Sequence, residues 1–290
     1  MEPEIGIVGG AVTPLSSVAI FKKRVMLVYP WLKHVHPITS FCVSQLADKR
    51  RTSSMLNFGD AFVAHSRNTC ADLFLKSDLE WMLTIDDDML IPFGNSAWFN
   101  GHMGYEVPEP FSKFNAIDRL LSHGKTLVGA LYFGRWKNGY PVYNEGKAEA
   151  EYVRTGPQDV CKPTRWVGTG CMMIHRSVFE DMEKRFPHLG RGPDGMGGHW
   201  FSTSEHNLLD HVHRTHKFLS AGPMTGEKAL KAYEMLDGAL RDAKRKSSLG
   251  MGEDSQFCIR AAESGHQPHV DLGLLCGHIG HHVYGPRKME

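Results

Sequence analysis

Apolar residues along this chain fall in short runs whose spacing alternates between strand-like and helix-like. Val25-Met26-Leu27-Val28-Tyr29 is a continuous β-rich run stopped by Pro30, which predicts a strand ending in a loop. A helix over 38–50 and a second strand over Ser53–Phe58 follow. Between Asp60 and Ser77, the apolar Phe62, Val63, Leu73 and Phe74 surround a polar Ser66-Arg67-Asn68, predicting a helix with a functional N-terminal turn. Trp81-Met82-Leu83-Thr84-Ile85 reads as a buried strand that runs directly into Asp86-Asp87-Asp88. Residues 113–123 place Phe114, Ile117, Leu120 and Leu121 on one helical stripe, with Gly124 as the stop. Thr126–Phe133 and Cys171–Ile174 are further strands, the second introduced by Gly168-Thr169-Gly170, and a helix over 177–186 ends at Pro187. Later, Gly252-Glu253-Asp254 opens a helix carrying Phe257, Ile259, Ala261 and Ala262 that Gly265 closes, and the strand Val270–Cys276 ends at Gly277-His278.

This alternation predicts an α/β fold with a mostly parallel central sheet flanked by helices. Ligands of such sheets sit beyond the carboxyl ends of strands, where the three aspartates stand. Between Gly190 and Gly252 the chain becomes Gly-rich and His-rich, and a polar helix is predicted over 226–246, ending Lys244-Arg245-Lys246. The stretch has too few apolar residues for its own core. It is read as an inserted lid or acceptor segment, 190–250, within a single domain 24–290 that follows an N-terminal extension, 1–23.

Composition narrows the function classes. Of 290 residues, 41% are hydrophobic and 22% charged, as in soluble globular proteins. Lys and Arg number 33 against 32 Asp and Glu, so overall charge alone would not hold nucleic acid, although a local patch is left open. No apolar run approaches the roughly 20 residues of a membrane span. Residues 1–20 begin acidic and carry no Lys or Arg, unlike a signal peptide. A soluble cytoplasmic protein without membrane contact is expected. The six cysteines contain no CxxC pair and read as reduced thiols.

The chemistry centres on Asp86-Asp87-Asp88. Three adjacent carboxylates repel one another at a strand end unless a cation relieves them, and hard oxygen ligands suit Mg²⁺ or Mn²⁺. In an extended chain Asp86 and Asp88 share a face while Asp87 points elsewhere; the alternative is an acidic turn capping the next element. Arg67 is either a guanidinium clamp for phosphate or carboxylate or a surface arginine at a helix start. Glu253 and Asp254 either do acid–base work or complement a helix dipole. His278 is a metal ligand or a packed histidine. His206, His211, His213 and His216, with Asp210, lack the paired spacing and cysteines of a zinc site and read as a polar acceptor-facing loop. Tyr132-Phe133-Gly134-Arg135-Trp136-Lys137 and Trp200-Phe201 could stack sugars or bases or belong to the core.

Taken in order, these motifs resemble the glycosyltransferases of the GT-A fold. The hydrophobic strand ending in Asp-x-Asp is similar to their metal and nucleotide-sugar signature, and Ser66-Arg67-Asn68 to an Arg-Asn element placed against the donor. Gly168 to Ile174 resembles the mid-domain strand beside donor and acceptor, Gly252-Glu253-Asp254 the Glu-Asp motif holding the base of inverting members, and Cys276-Gly277-His278 a metal-completing C-terminal histidine. The resemblance covers 24–190 and 250–284. It implies metal ligation by Asp86, Asp88 and His278, with Mn²⁺ suited slightly better than Mg²⁺. It implies donor binding by Arg67, Asn68, Asp86, Asp87 and Gly170, and catalysis by Asp254 with Glu253 orienting or tuning it. The implied donor is a nucleotide sugar, most simply a UDP-sugar such as UDP-glucose. The small single domain looks like bacteriophage-encoded transferases, which implies the host cytoplasm and an acceptor hydroxyl on hydroxymethylated pyrimidine in DNA. A cell-surface glycan is the other acceptor. A sugar-nucleotide nucleotidyltransferase is disfavoured, because Tyr29-Pro30-Trp31-Leu32-Lys33 follows the first strand where a Gly-rich loop belongs. A non-catalytic sugar-nucleotide binder is the third reading.

Overall fold

The computed structural model describes residues 25–31, 35–47, 52–59, 63–104, 106–135, 141–144, 158–192, 194–201, 212, 215–247, 252–280 and 283–284. In chain order the elements are β1 (Val25–Trp31), α1 (Pro37–Leu46), β2 (Thr52–Gly59), α2 (Val63–Lys76), β3 (Trp81–Ile85), β4 (Met89–Leu90), α3 (Ser96–Met103), α4 (Ala116–Ser122), β5 (Leu127–Leu131), β6 (Tyr143–Asn144), β7 (Cys161–Pro163), β8 (Trp166–Val167), β9 (Cys171–His175), α5 (Arg176–Arg185), α6 (Gly226–Ser247), α7 (Glu253–Glu263), β10 (His269–Leu275), β11 (Gly277–Ile279) and β12 (Val283–Tyr284). The architecture is mixed α/β. The 1–23 extension expected from sequence lies outside the described residues.

Seven strands form the main sheet in the order β2-β1-β3-β9-β5-β10-β7. The expectation of a mostly parallel sheet needs correcting. β1 runs parallel to β2 and β3, and β5 parallel to β10, but β9 is antiparallel to both its neighbours and β7 antiparallel to β10. Half of the pairings are therefore antiparallel. The reversal has a consequence for function, because Cys171 at the start of β9 pairs with Ile85 at the end of β3. The turn before β9 thus lies at the same sheet edge as the residues that leave β3, β5 and β10.

The helices begin and end where local chemistry dictates. Pro37 opens α1, and the His36 ring accepts a hydrogen bond from the Ile38 N–H. Asn95 caps α3 and Asn115 caps α4. Gly124 and Gly265, the predicted stops, have φ of +62° and +93°, a backbone region that disfavours side chains with a Cβ. At the end of α2 the Arg176 guanidinium donates to the carbonyls of Phe74, Leu75, Ser77 and Leu79, satisfying acceptors that a helix terminus leaves open.

The boundary placed at 190 also needs correcting. Trp200 and Phe201 are fully buried, and Phe201 stacks on Phe257 with ring centroids 4.3 Å apart. Asp72, on α2, accepts from the Gly198 N–H and the Trp200 indole at 2.9 Å each, and Arg260 donates to the Trp200 carbonyl at 3.1 Å. Gly198, Trp200 and Phe201 are thus packed into the core between α2, α5 and α7. Of the later part, α6 forms close to its predicted bounds and sets Gly238 against the His188 ring.

Candidate functional site

The sheet edge gathers residues from six segments. β3 delivers Asp86, β5 runs into Tyr132 and Phe133, the turn before β9 supplies Gly170, β10 leads through Cys276 to His278, and α2 and α7 bring Arg67 and Glu253-Asp254. Backbone hydrogen bonds fasten the first of these together. The Asp86 N–H donates to the Gly170 carbonyl at 3.2 Å, and the Gly170 N–H donates to the Tyr132 hydroxyl at 3.2 Å. A Cβ on Gly170 would lie 2.8 Å from the Tyr132 ring, and one on Gly168 would lie 1.9 Å from its hydroxyl oxygen. Both glycines are required by the ring seated against them. Burial first, then the Asp86 and Asp254 charges, hold the Tyr132 phenol well above its ordinary pKa, so it stays protonated.

The three aspartates do not lie along an extended strand. β3 ends at Ile85, Asp87 and Asp88 make a turn, and β4 then pairs antiparallel with β11, setting His278 opposite Met89. Asp86 and Asp88 consequently serve different partners, which corrects the expectation that they share a face. The Asp86 carboxylate accepts from Arg67 Nη2 at 2.6 Å. Asp88 Oδ1 lies 3.4 Å from His278 Nε2, and Asp88 Oδ2 lies 3.0 Å from Arg135 Nη1. Asp87 is partly exposed, and its carbonyl accepts from the His36 N–H at 2.8 Å.

His278 is oriented from behind. Its Nδ1 lies 3.0 Å from the Phe133 carbonyl, which can only accept, so Nδ1 is the donor there and Nε2 is the ring nitrogen that faces Asp88. Tyr132 meets the ring edge-on at 5.7 Å. Burial raises the Asp88 carboxyl, but the His278 hydrogen bond, the His278 charge and Arg135 outweigh it and hold it below its usual range. Among the described residues no group of three or more His, Cys, Asp or Glu is placed to hold a metal. Asp88 and His278 are a pair, and Asp86 turns to Arg67. A carboxylate beside an imidazole anchored through its other ring nitrogen suits a divalent ion that takes its other ligands from phosphate and water. On that donor set, Mn²⁺ or Mg²⁺ fits.

Arg67 is 5% exposed and bridges two carboxylates, donating to Asp86 through Nη2 and to Glu253 Oε1 through Nη1, each at 2.6 Å. Burial works against its charge, but Asp86 and Glu253 raise its pKa above the ordinary arginine value. Its Nε and the Ser66 hydroxyl are buried with no partner among the described residues, as expected where ligand or ordered water completes a site. Asp254 accepts from the Ser255 N–H at 2.7 Å. Its carboxyl is pushed above the ordinary range by burial and then by Glu253, with Arg67 pulling the other way. Asn68 serves the scaffold: it is buried, and its side-chain oxygen accepts from the Phe201 N–H at 2.8 Å.

Sequence reasoning missed Arg135 as the partner of Asp88 and Glu253 as the partner of Arg67; a cation beside an aromatic strand end was the only signal for the first. Of the remaining candidates, His206, Asp210, His211, His213, Trp136 and Lys137 lie outside the described residues, and His216 is exposed. No helix among the described residues is long and apolar enough to cross a membrane.

No protein-family model and no curated protein matches the chain. Among solved structures it is similar to the crystal structure of A197 from STIV, with 14% identity over 89% of this chain and 86% of that one. The TM-score is 0.43, a likeness too slight to carry an argument.

Proposed function

We propose that this chain is a metal-dependent glycosyltransferase that moves a sugar from a nucleotide sugar, a UDP-sugar, to an acceptor hydroxyl. The observation that supports it best is the meeting of Asp88 and His278 at 3.4 Å, at the sheet edge where Arg67, Asp86, Glu253 and Asp254 also converge. A two-ligand protein site beside a cationic clamp suits a diphosphate, which completes the coordination and carries away negative charge as the sugar leaves.

Each residue then has a task. Asp88 and His278 would hold Mn²⁺ or Mg²⁺, which supplies positive charge to the departing diphosphate. Arg67 fixes the directions of Asp86 and Glu253 and contributes its own charge to the same region. Arg135, 51% exposed, caps Asp88 from the solvent side and can pair with an anionic ligand. Asp254 accepts the proton of the attacking hydroxyl, a role helped by a pKa above the usual carboxylate range. Glu253, engaged by Arg67, positions the start of α7.

The test is UDP release from UDP-glucose, UDP-galactose and UDP-N-acetylglucosamine with Mn²⁺ present. Slow, metal-dependent release from at least one donor is expected, reduced about hundredfold or more by Asp88→Ala. Release from none of them refutes the reading.

A further inference from the structure

We infer that Arg135 is a displaceable counter-charge: it competes with a divalent ion for Asp88 and turns to the diphosphate once that ion is held, so that metal and nucleotide bind cooperatively through it; this rests on the glycosyltransferase reading above. Both oxygens of Asp88 are engaged. Oδ1 lies 3.4 Å from His278 Nε2, and Oδ2 lies 3.0 Å from Arg135 Nη1. An imidazole nitrogen can share a metal with the carboxylate. A guanidinium cannot, because it has donors only and keeps its charge. A cation coming to Asp88 therefore meets Arg135 both as a rival for the carboxylate and as a like charge.

Arg67 and Arg135 both meet carboxylates of the site, and they are held differently. Arg67 is 5% exposed and bridges Asp86 and Glu253, each at 2.6 Å. Withdrawing it would leave buried charges unpaired, so it stays in place. Arg135 is 51% exposed, and Asp88 is its one ion-pair partner among the described residues. An ion pair so open to water contributes little to stability, so giving up Asp88 costs little.

The backbone leading to Arg135 is anchored. The Tyr132 carbonyl accepts from the Val142 N–H at 2.9 Å, Phe133 bridges Pro141, and the Phe133 carbonyl holds His278 Nδ1 at 3.0 Å. Arg135 thus stands two residues beyond the group that orients His278, and its side chain is the part left to move. The guanidinium fork fits a phosphate as well as a carboxylate. Metal alone would take Asp88 and leave the fork unpaired beside a dication. Metal together with nucleotide exchanges one ion pair for another. A mere brace for Asp88 would act with the opposite sign, since its removal would weaken metal binding.

The experiment titrates Mn²⁺ into the full chain with and without UDP, counting free Mn²⁺ by electron paramagnetic resonance, for the wild type, Arg135→Gln and Arg135→Lys. It is run at about 50 mM NaCl, where such charge effects are little screened. Without UDP, Arg135→Gln is expected to bind Mn²⁺ about three- to tenfold more tightly, because a cation beside the carboxylate has gone. The factor by which UDP strengthens Mn²⁺ binding should fall about fivefold or more, and calorimetry should find the same fall in the factor by which Mn²⁺ strengthens UDP binding. Arg135→Lys keeps the charge and should keep the wild-type Mn²⁺ affinity without UDP. Mn²⁺ affinity unchanged or lowered in Arg135→Gln, or an enhancement by UDP that survives it, would overturn the inference. Tighter Mn²⁺ binding in Arg135→Gln beside no UDP release from any sugar donor sinks the transferase reading alone. Release of UDP with Mn²⁺ affinity indifferent to Arg135→Gln sinks the role of Arg135 alone, and absence of Mn²⁺ binding in every variant sinks both.

Discussion

Arg67 Nη1 donates to Glu253 Oε1 at 2.6 Å, joining the N-terminal halves of α2 and α7 through a guanidinium that is almost completely buried. The same side chain holds Asp86 at 2.6 Å, so one cation sets the positions of carboxylates from two distant parts of the chain. A charge in such a place is costly unless it is paired, and removing one member of a paired set is worse than removing all of it. Arg67→Met therefore leaves Asp86, Glu253 and Asp254 facing one another. A loss of about 3–5 kcal/mol in chemical denaturation is expected. The triple replacement Arg67→Met, Asp86→Asn, Glu253→Gln should recover part of that loss without recovering nucleotide binding.

Asp254 gives a pH signature. Its carboxyl is raised by burial and by Glu253, and the charged form is the one that accepts a proton. The transfer rate should climb with pH through a midpoint above the ordinary Asp value of about 3.9. Asp254→Asn should lower kcat by about 10²–10⁴. UDP affinity, measured by calorimetry, should change far less than turnover.

Much of this arrangement was legible in the sequence, and the failures have physical causes. The apolar runs marked β1, β3, β5, β9 and β10 because each is buried along most of its length. Strand direction was not legible, since Cys171–Ile174 is apolar throughout and its reversal is decided by pairing with Leu83 and Val128 on either side. Helix α3 was missed because Ser96–Met103 buries only Phe99 and Met103 and shows no sustained stripe. Trp200 and Phe201 were assigned to an insertion because the glycines around them mask a core anchor that Asp72 holds from another element. The candidate site residues were found by type. Which carboxylate faces which cation was not, because the turn at Asp87-Asp88 replaces the extended geometry that alternation assumes.

Away from the site, Asp271 is fully buried beneath Arg119 and His123, each donating to it at 2.7 Å, and the Gly273 N–H adds a bond at 2.8 Å. Burial raises its carboxyl, but His123 and Arg119 together hold it below the ordinary value. The folded state thus favours the charged form. Its contribution is present above the unfolded pKa of about 3.9 and is lost as pH falls through the lower folded value. Asp271→Asn should lower stability at pH 7 by about 3 kcal/mol and flatten the acid limb of a melting-temperature profile.

Arg176 closes the end of α2 with bonds to four carbonyls. Arg176→Met keeps the stem and removes the donors, so thermal denaturation should report a loss of about 2–3 kcal/mol. Hydrogen exchange should accelerate first at residues 74–79, where those carbonyls lie.

The central claim is that Asp88 and His278 hold one divalent ion together with a nucleoside diphosphate. Titrating Mn²⁺ into the protein with and without UDP, with free Mn²⁺ followed by electron paramagnetic resonance, tests it most directly. Binding that strengthens when UDP is added, and that weakens about tenfold or more in both Asp88→Asn and His278→Ala, is the expected result. Mn²⁺ binding that ignores UDP, or that survives His278→Ala unchanged, would contradict it.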